Sequence, residues 1–350
     1  MVKMSPKNRF VLILLSLLVF SLVFTGCKKD KPTLYVYNWG DYIDETILGE
    51  FEKETGIKIV YDTFATNEDM YVKIKSGGSS YDVIFPSDYM LTRMIEEGML
   101  EKIDMKNIPN IKNIDPWFLG HDYDPNNEYS VPYKWGTMGI LYNTRMVDDP
   151  VDSWDILWDP KYKKEILMLD SQRDSIGAAL LKLGYPLNTL DFEQLREAGE
   201  LLKEQKPLVL AYVVDEGKDK MVAEEAALAL VWSGEATYAF QENPNLAYAI
   251  PKEGTNLWFD VAAIPKGAKN KAGAEKFIDF LNRPEIAFRN ADYTGYATPN
   301  AAAKALLPPE IRDNRMIYPQ EEDLVNTEVF VNLGKTLKEY DRIWTEVKAY

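Results

Sequence analysis

Three short stretches of the chain set an acid beside aromatic rings and hydroxyls: Trp39, Asp41 and Tyr42 in NWGDY, Ser87, Asp88 and Tyr89 in PSDY, and Trp258 and Asp260 in LWFD. Trp232 and Tyr296, the latter in the glycine-containing YTGYATPN, add two more rings. A ring, a carboxylate and a hydroxyl are the groups that hold an organic ammonium. The carboxylate gives charge-assisted hydrogen bonds. A cation over a Trp or Tyr face gains roughly 0.5–2 kcal/mol, most when water is kept out. An anion site would instead be built from bare amides, glycines and Arg at helix N-termini, and none of these stretches has that composition. Each residue also has an ordinary explanation. Asp41 and Asp88 could cap helices, Trp232 and Trp258 could be core residues, and Tyr296 could pack a loop. What they share is their position relative to the elements around them.

Those elements alternate. Thr33–Asn38 reads as a strand, Ile43–Thr55 as a helix with Ile43, Ile47, Leu48 and Phe51 on one face, and Gly56 as its stop. Ile57–Tyr61 follows as a second strand, giving a β-α-β unit that implies a parallel sheet covered by helices. The spacing predicts further helices over Glu68–Lys75, Tyr89–Glu97, Thr189–Gln205, Glu224–Ala227, Gly234–Gln241 and Ala272–Leu281. It predicts strands over Tyr81–Phe85, Glu165–Leu169, Leu228–Trp232 and Phe259–Ile264, with Ser130–Asn143 β-rich. The chain is therefore α/β throughout. In such folds ligands bind beyond the carboxyl ends of the strands, and the ring-and-acid stretches fall at or beside predicted strand ends. A helix N-terminus there would repel a cation, and a carboxylate cancels that repulsion.

The 350-residue chain opens with Lys3, Lys7 and Arg9, then an apolar run from Phe10 to Phe24, then Thr25, Gly26 and Cys27. This is the pattern of a secretory signal over residues 1–26. Cys27 is the only cysteine, and its position resembles that of the lipidated cysteine of bacterial lipoproteins, with Phe24 departing from the usual Leu. A two-chain lipid anchor at Cys27 would hold the protein outside the cytoplasmic membrane. Removing the signal leaves 324 residues, for which two domains are the prior. The net charge falls from −15 to −18, because three cations and no acid leave with the signal. So acidic a chain is not built for nucleic acid. With one cysteine there is no intrachain disulfide. With His121 as the sole histidine, His-based triads and paired-histidine zinc sites are excluded. No metal or other cofactor is expected.

The chain resembles the bacterial spermidine/putrescine-binding proteins, the extracytoplasmic receptors of polyamine ABC transporters. The segments FEKETGIKIVYDTF, YDVIFPSDYM, DPNNEYSVPYKWGTMGI, LVWSGEA, NLWFDVAAIPKGAKNK and GYATPNAAA carry the resemblance, which covers nearly all of the chain after the signal. It implies a two-lobed periplasmic-binding-protein-like fold of type II, with the ligand cleft between lobes that close by a hinge. Lobe 1 is expected over residues 32–136 plus 259–305 and lobe 2 over 137–258 plus 306–350. The resemblance further implies a monomeric, non-enzymatic receptor that takes up a linear polyamine and passes it to permease subunits. The family's site falls on Trp39, Asp41, Tyr42, Ser87, Tyr89, Asp174, Trp232, Trp258, Asp260 and Tyr296. Asp260 is expected as the central counter-ion, with Asp41 and Asp174 holding amines towards the two ends. The chain departs from the spermidine type at Ser171, where an acid is usual, at Phe330, where Gln is usual, and at Gly40 and Asp41, where Thr and Glu are usual. Ser171 and Phe330 belong to the candidate site on this ground. Two other readings compete. A receptor for another cationic or zwitterionic amine would need an Arg for a carboxylate, and Arg173 and Arg145 are the candidates. A surface hydrolase would pair two of Asp41, Asp174 and Asp260.

Overall fold

In the computed structural model, residues 31–350 are described except 78, 79 and 325. The expected signal and Cys27 lie outside the described residues. Strand β1 (Thr33–Trp39) leads to helix α1 (Thr46–Thr55), β2 (Lys58–Phe64), α2 (Asn67–Lys75), β3 (Val83–Ile84) and α3 (Asp88–Glu96). A long β4 (Ser130–Asn143) precedes β5 (Ile166–Leu169), α4 (Gln172–Lys182), α5 (Phe192–Gln205), β6 (Val209–Val213), α6 (Glu216–Val222), β7 (Leu228–Trp232), α7 (Ser233–Glu242) and β8 (Leu246–Ala249). The chain returns through β9 (Thr255–Ala263), α8 (Lys271–Leu281), α9 (Pro284–Thr294), two short turns α10 (Ala301–Lys304) and α11 (Pro309–Arg312), β10 (Thr327–Glu328) and α12 (Leu337–Ala349).

The strands form one sheet in the order β2-β1-β3-β9-β4-β7-β5-β6, with β10 on β9 and β8 on β4. Its two flanks are parallel, as the β-α-β pattern predicts: β1 with β2 and β3, and β5 with β6 and β7. The middle is antiparallel, since β4 runs against β7, β8 and β9 and β3 runs against β9. The parallel pairing read from the first β-α-β unit does not extend to the middle, where the long strands β4 and β9 are not linked to their neighbours as strand–helix repeats. The register of β4 sets the site. Lys134 stands opposite Asp260, Gly136 opposite Trp258, and Met138 opposite Trp232.

Local sequence explains the ends of α1. Ile47 and Phe51, one turn apart, are its buried residues, and Gly56 (φ 72°) returns its N–H to Glu52 O at 2.9 Å. The helix starts at Thr46 and not at Ile43, because Asp44 Oδ1 accepts from Thr46 N at 2.9 Å and Thr46 Oγ1 at 2.6 Å. Asp41 therefore does not cap it; it sits in a left-handed turn with φ 46°. The predicted helix over Glu224–Ala227 is a turn leading into β7, and the helix lies upstream as α6. The helix predicted from Thr189 begins at Phe192, where Asp191 accepts from Glu193 N. His121 meets Phe259 of β9 in a tilted contact at 4.6 Å and stacks on Tyr123 at 5.4 Å, so it packs among rings.

Phe51 is fully buried, edge-on to Phe277 at 5.2 Å and Phe280 at 5.4 Å on α8. Removing such a side chain leaves a cavity that rigid helices cannot collapse around, at a cost of about 3–5 kcal/mol. Phe51→Ala should lower the urea midpoint accordingly with an unchanged m-value.

Candidate functional site

A cavity of about 500 Å³ opens at the ends of β1, β3, β5, β6 and β7 and along the middle of β9, which was expected to start at Phe259 but already includes Trp258. At its centre Asp260 is 5 % exposed and holds two hydroxyls, accepting from Tyr42 Oη (2.6 Å, Oδ2) and Ser87 Oγ (2.6 Å, Oδ1). Ser87 is itself fixed by Asn67, whose Nδ2 donates to Ser87 Oγ at 3.0 Å and whose Oδ1 accepts from Ser87 N at 3.1 Å. Asp260 and Trp258 are two residues apart on β9, so they share a face. Burial pushes the Asp260 carboxyl up to about 6, against the downward pull of the Ser87 and Tyr42 hydroxyls.

The rings form walls around this acid. Trp39 ends β1, donates its indole N–H to Phe85 O at 2.8 Å and leans on Phe64 at 4.6 Å. Tyr42 meets Tyr296 edge-on at 4.7 Å, and Tyr296 meets Trp258 at 5.8 Å. Tyr296 fits only because residue 234 is glycine: a Cβ there would overlap its ring. The indole N–H of Trp258 is buried with no protein acceptor. Behind Tyr42 and Tyr296 lies Lys134, 2 % exposed, its Nζ 4.4 Å and 5.3 Å from their ring centres and donating to Thr294 Oγ1. Burial drives its pKa well below that of an ordinary lysine, while Asp260 opposes the shift.

A second acid stands on α4. Asp174 accepts from Ser171 Oγ at 2.6 Å and from the Trp232 indole at 3.4 Å. Burial raises its pKa, and the Ser171 and Trp232 bonds lower it. Tyr89 donates to Glu68 Oε1 at 3.1 Å and meets Phe330 edge-on at 6.1 Å. Arg173 lies over the Phe330 ring at 4.2 Å and donates to Val331 O and Asn188 Oδ1, leaving its Nε without an acceptor.

The structure thus gathers Trp39, Tyr42, Ser87, Tyr89, Ser171, Asp174, Trp232, Trp258, Asp260, Tyr296 and Phe330 around one cavity. Asp41 is not among the lining residues; its carboxylate pairs with Lys218 Nζ at 3.0 Å. Asp88 lines the cavity but is committed to backbone: Oδ1 accepts from Tyr89 N and Oδ2 from Phe259 N. Burial pushes it up to about 8, with the Phe259 and Tyr89 N–H groups pulling the other way. Arg145 is away from the cavity, paired with Glu224 at 3.6 Å. Sequence reasoning missed Glu68 and Asp215, which also line it. The strand-end rule would have found both. Glu68 follows β2, which runs to Phe64 and not to Tyr61, and Asp215 follows β6, a strand that was not predicted.

Comparison with known proteins agrees with this geometry. Residues 46–317 match the family model for bacterial extracellular solute-binding proteins. The Salmonella typhimurium spermidine/putrescine-binding periplasmic protein is 41% identical over 323 residues, covering 92% of this chain and 93% of its own. A solved structure from Listeria monocytogenes, provisionally described as a spermidine/putrescine ABC transporter, is 48% identical with a TM-score of 0.89, over 91% of this chain and 99% of that one. The spermidine/putrescine substrate-binding protein PotD of Streptococcus pneumoniae is 43% identical with a TM-score of 0.78, over the same shares of the two chains. The fold is accordingly that of the two-lobed solute-binding proteins, and the chain belongs to the bacterial extracellular solute-binding protein family, among relatives that are spermidine/putrescine-binding proteins.

Proposed function

We propose that this protein is an extracytoplasmic receptor that captures a linear polyamine, putrescine or spermidine, and delivers it to an ABC permease. The observation that carries the reading is Asp260: a buried carboxylate, held by two hydroxyls, facing a cavity walled by Trp and Tyr rings. An ammonium there would gain charge-assisted bonds in a low dielectric, and the rings would cover the methylenes beside it. Asp174 would serve a second amine. The names of the relatives point the same way. On this reading residues 32–136 plus 259–305 form one lobe and 137–258 plus 306–350 the other, a lipid at Cys27 tethers a monomer to the membrane, and the protein performs no catalysis. One observation favours a zwitterionic ligand instead: the buried Nε of Arg173 has no acceptor and Arg173 lines the cavity.

Titration calorimetry on residues 28–350, unfolded and refolded to strip ligand, tests the reading with putrescine, spermidine, spermine, arginine and glycine betaine. One-to-one binding of putrescine or spermidine is the expected result. Heat only with arginine or betaine transfers the site to the zwitterionic reading. Asp260→Asn should weaken polyamine binding about tenfold to a hundredfold, the worth of a charged hydrogen bond. Asp88→Asn should shift the melting temperature more than the affinity, since Oδ1 accepts from Tyr89 N in the first turn of α3 and Oδ2 from Phe259 N on β9.

The acid's raised pKa also sets a pH dependence. In the free protein Asp260 titrates near 6, and a bound ammonium favours its ionised form. Binding therefore expels protons around that pH, and affinity drops as pH is lowered through about 6. Putrescine affinity measured from pH 5 to 7.5 should show this inflection in the wild type and lose it in Asp260→Asn. An identical profile in both would assign the inflection to another group.

A further inference from the structure

Asp41 is the acid that the family resemblance gives to one ligand amine, yet its carboxylate already has an ammonium. Lys218 Nζ, on α6, donates to Asp41 Oδ2 at 3.0 Å and to the backbone oxygen of Asp215 at 3.0 Å. The cation is the sheltered partner: the Lys218 side chain is 12% exposed and that of Asp41 72%. Two further carboxylates act on it. Asp215 lines the cavity, and Glu235 is 3 % exposed with Oε2 buried and unpartnered. Burial lowers the Lys218 pKa, but Glu235, Asp41 and Asp215 together leave it above that of an ordinary lysine. Burial raises Glu235 in turn, against the pull of Lys218.

The two segments are pressed together. Gly40 and Asp215 both line the cavity, and a Cβ at Gly40 would overlap the Asp215 carboxylate. Asp41 follows Gly40 directly and Lys218 lies three residues after Asp215; neither lines the cavity. The end of the site that should receive an amine thus carries three acids around one cation supplied by the protein itself.

We propose that Lys218, held behind the Gly40–Asp215 wall of the site, is a built-in substitute for a ligand ammonium at Asp41 and restricts the site to a diamine. This rests on the polyamine reading above. With Lys218 in place, a third ammonium arriving at this end meets a like charge. With Lys218 neutralised, Asp41, Asp215 and Glu235 lose their shared cation, and the carboxylates behind the Gly40–Asp215 wall become available to the extra amine of a triamine.

The test is calorimetry with putrescine and spermidine on the wild type, Lys218→Met, Lys218→Arg and the double variant Lys218→Met/Asp41→Asn. The wild type should favour putrescine. Lys218→Met should raise the spermidine-to-putrescine affinity ratio about tenfold or more, the effect of one charged hydrogen bond. Lys218→Arg should keep the wild-type ratio, and adding Asp41→Asn to Lys218→Met should remove the gain. Lys218→Gln keeps a donor for the Asp215 carbonyl and should repeat the Met result if Met disturbs α6. An unchanged ratio in folded Lys218→Met or Lys218→Gln, or a wild type that already prefers spermidine, overturns this inference and leaves the polyamine receptor standing. No heat with any polyamine on the wild type overturns both.

Discussion

A carboxylate buried at 5 % exposure needs a reason to stay charged, and Asp260 is the constraint around which the site is arranged. Taking such a group from water costs several kcal/mol unless it is paired and hydrogen-bonded. The protein meets part of that cost with Tyr42 and Ser87. The remainder appears as a pKa lifted to about 6. The same holds nearby for Asp174, tied to Ser171 and Trp232, and for Asp88, tied to two backbone amides. These acids are less stable as anions than they would be in water. On the proposed reading an organic cation relieves Asp260 and Asp174, while Asp88 is already held by backbone amides.

The rest of the architecture supplies the walls and the counterweights. Antiparallel pairing of β4 with β9 and β7 sets Trp258, Asp260 and Trp232 by register. Two buried cations lie near Asp260 without bonding to it: Lys134, behind the tyrosines, donates to Thr294, and Arg173, in the cavity lining, donates to Asn188 and Val331. A salt bridge to Asp260 from either would satisfy the acid internally and leave nothing for a ligand to gain.

Much of this was legible in the sequence. Trp39, Ser87 and Trp232 sit at strand ends, as the rule predicts; Trp258 and Asp260 lie inside β9, which starts earlier than its sequence suggests, and Tyr296 follows a helix. Helix α1 with its Gly56 stop was readable from periodicity. What escaped had physical causes. Glu68 was missed because β2 continues through polar Asp62 and Thr63, which do not look like strand interior. Asp215 was missed because β6, with Leu210 exposed, lacks a clean alternation. The antiparallel centre of the sheet depends on long-range pairing that no local pattern encodes. The sequence treats Asp41 as an acid awaiting a partner; only the fold shows that Lys218, 177 positions away, provides one.

Strand β4 carries a mechanical consequence. Its residues from Ser130 to Thr137 pair with β9, and those from Met138 to Asn143 pair with β7 and β8. One uninterrupted backbone therefore belongs to both flanks of the sheet, and its hydrogen-bond ladders would all break at once if the flanks slid past each other. Torsion about the strand axis costs far less, because twist is the soft coordinate of a β-ribbon. The irregularity between Pro132 and Lys134, next to the pair that sets Asp260, is where such a torsion bar would yield first. On the two-lobe reading proposed above, opening and closing of the cavity would be a rotation about β4, and Asp260, paired with Lys134 on that strand, would lie close to its axis.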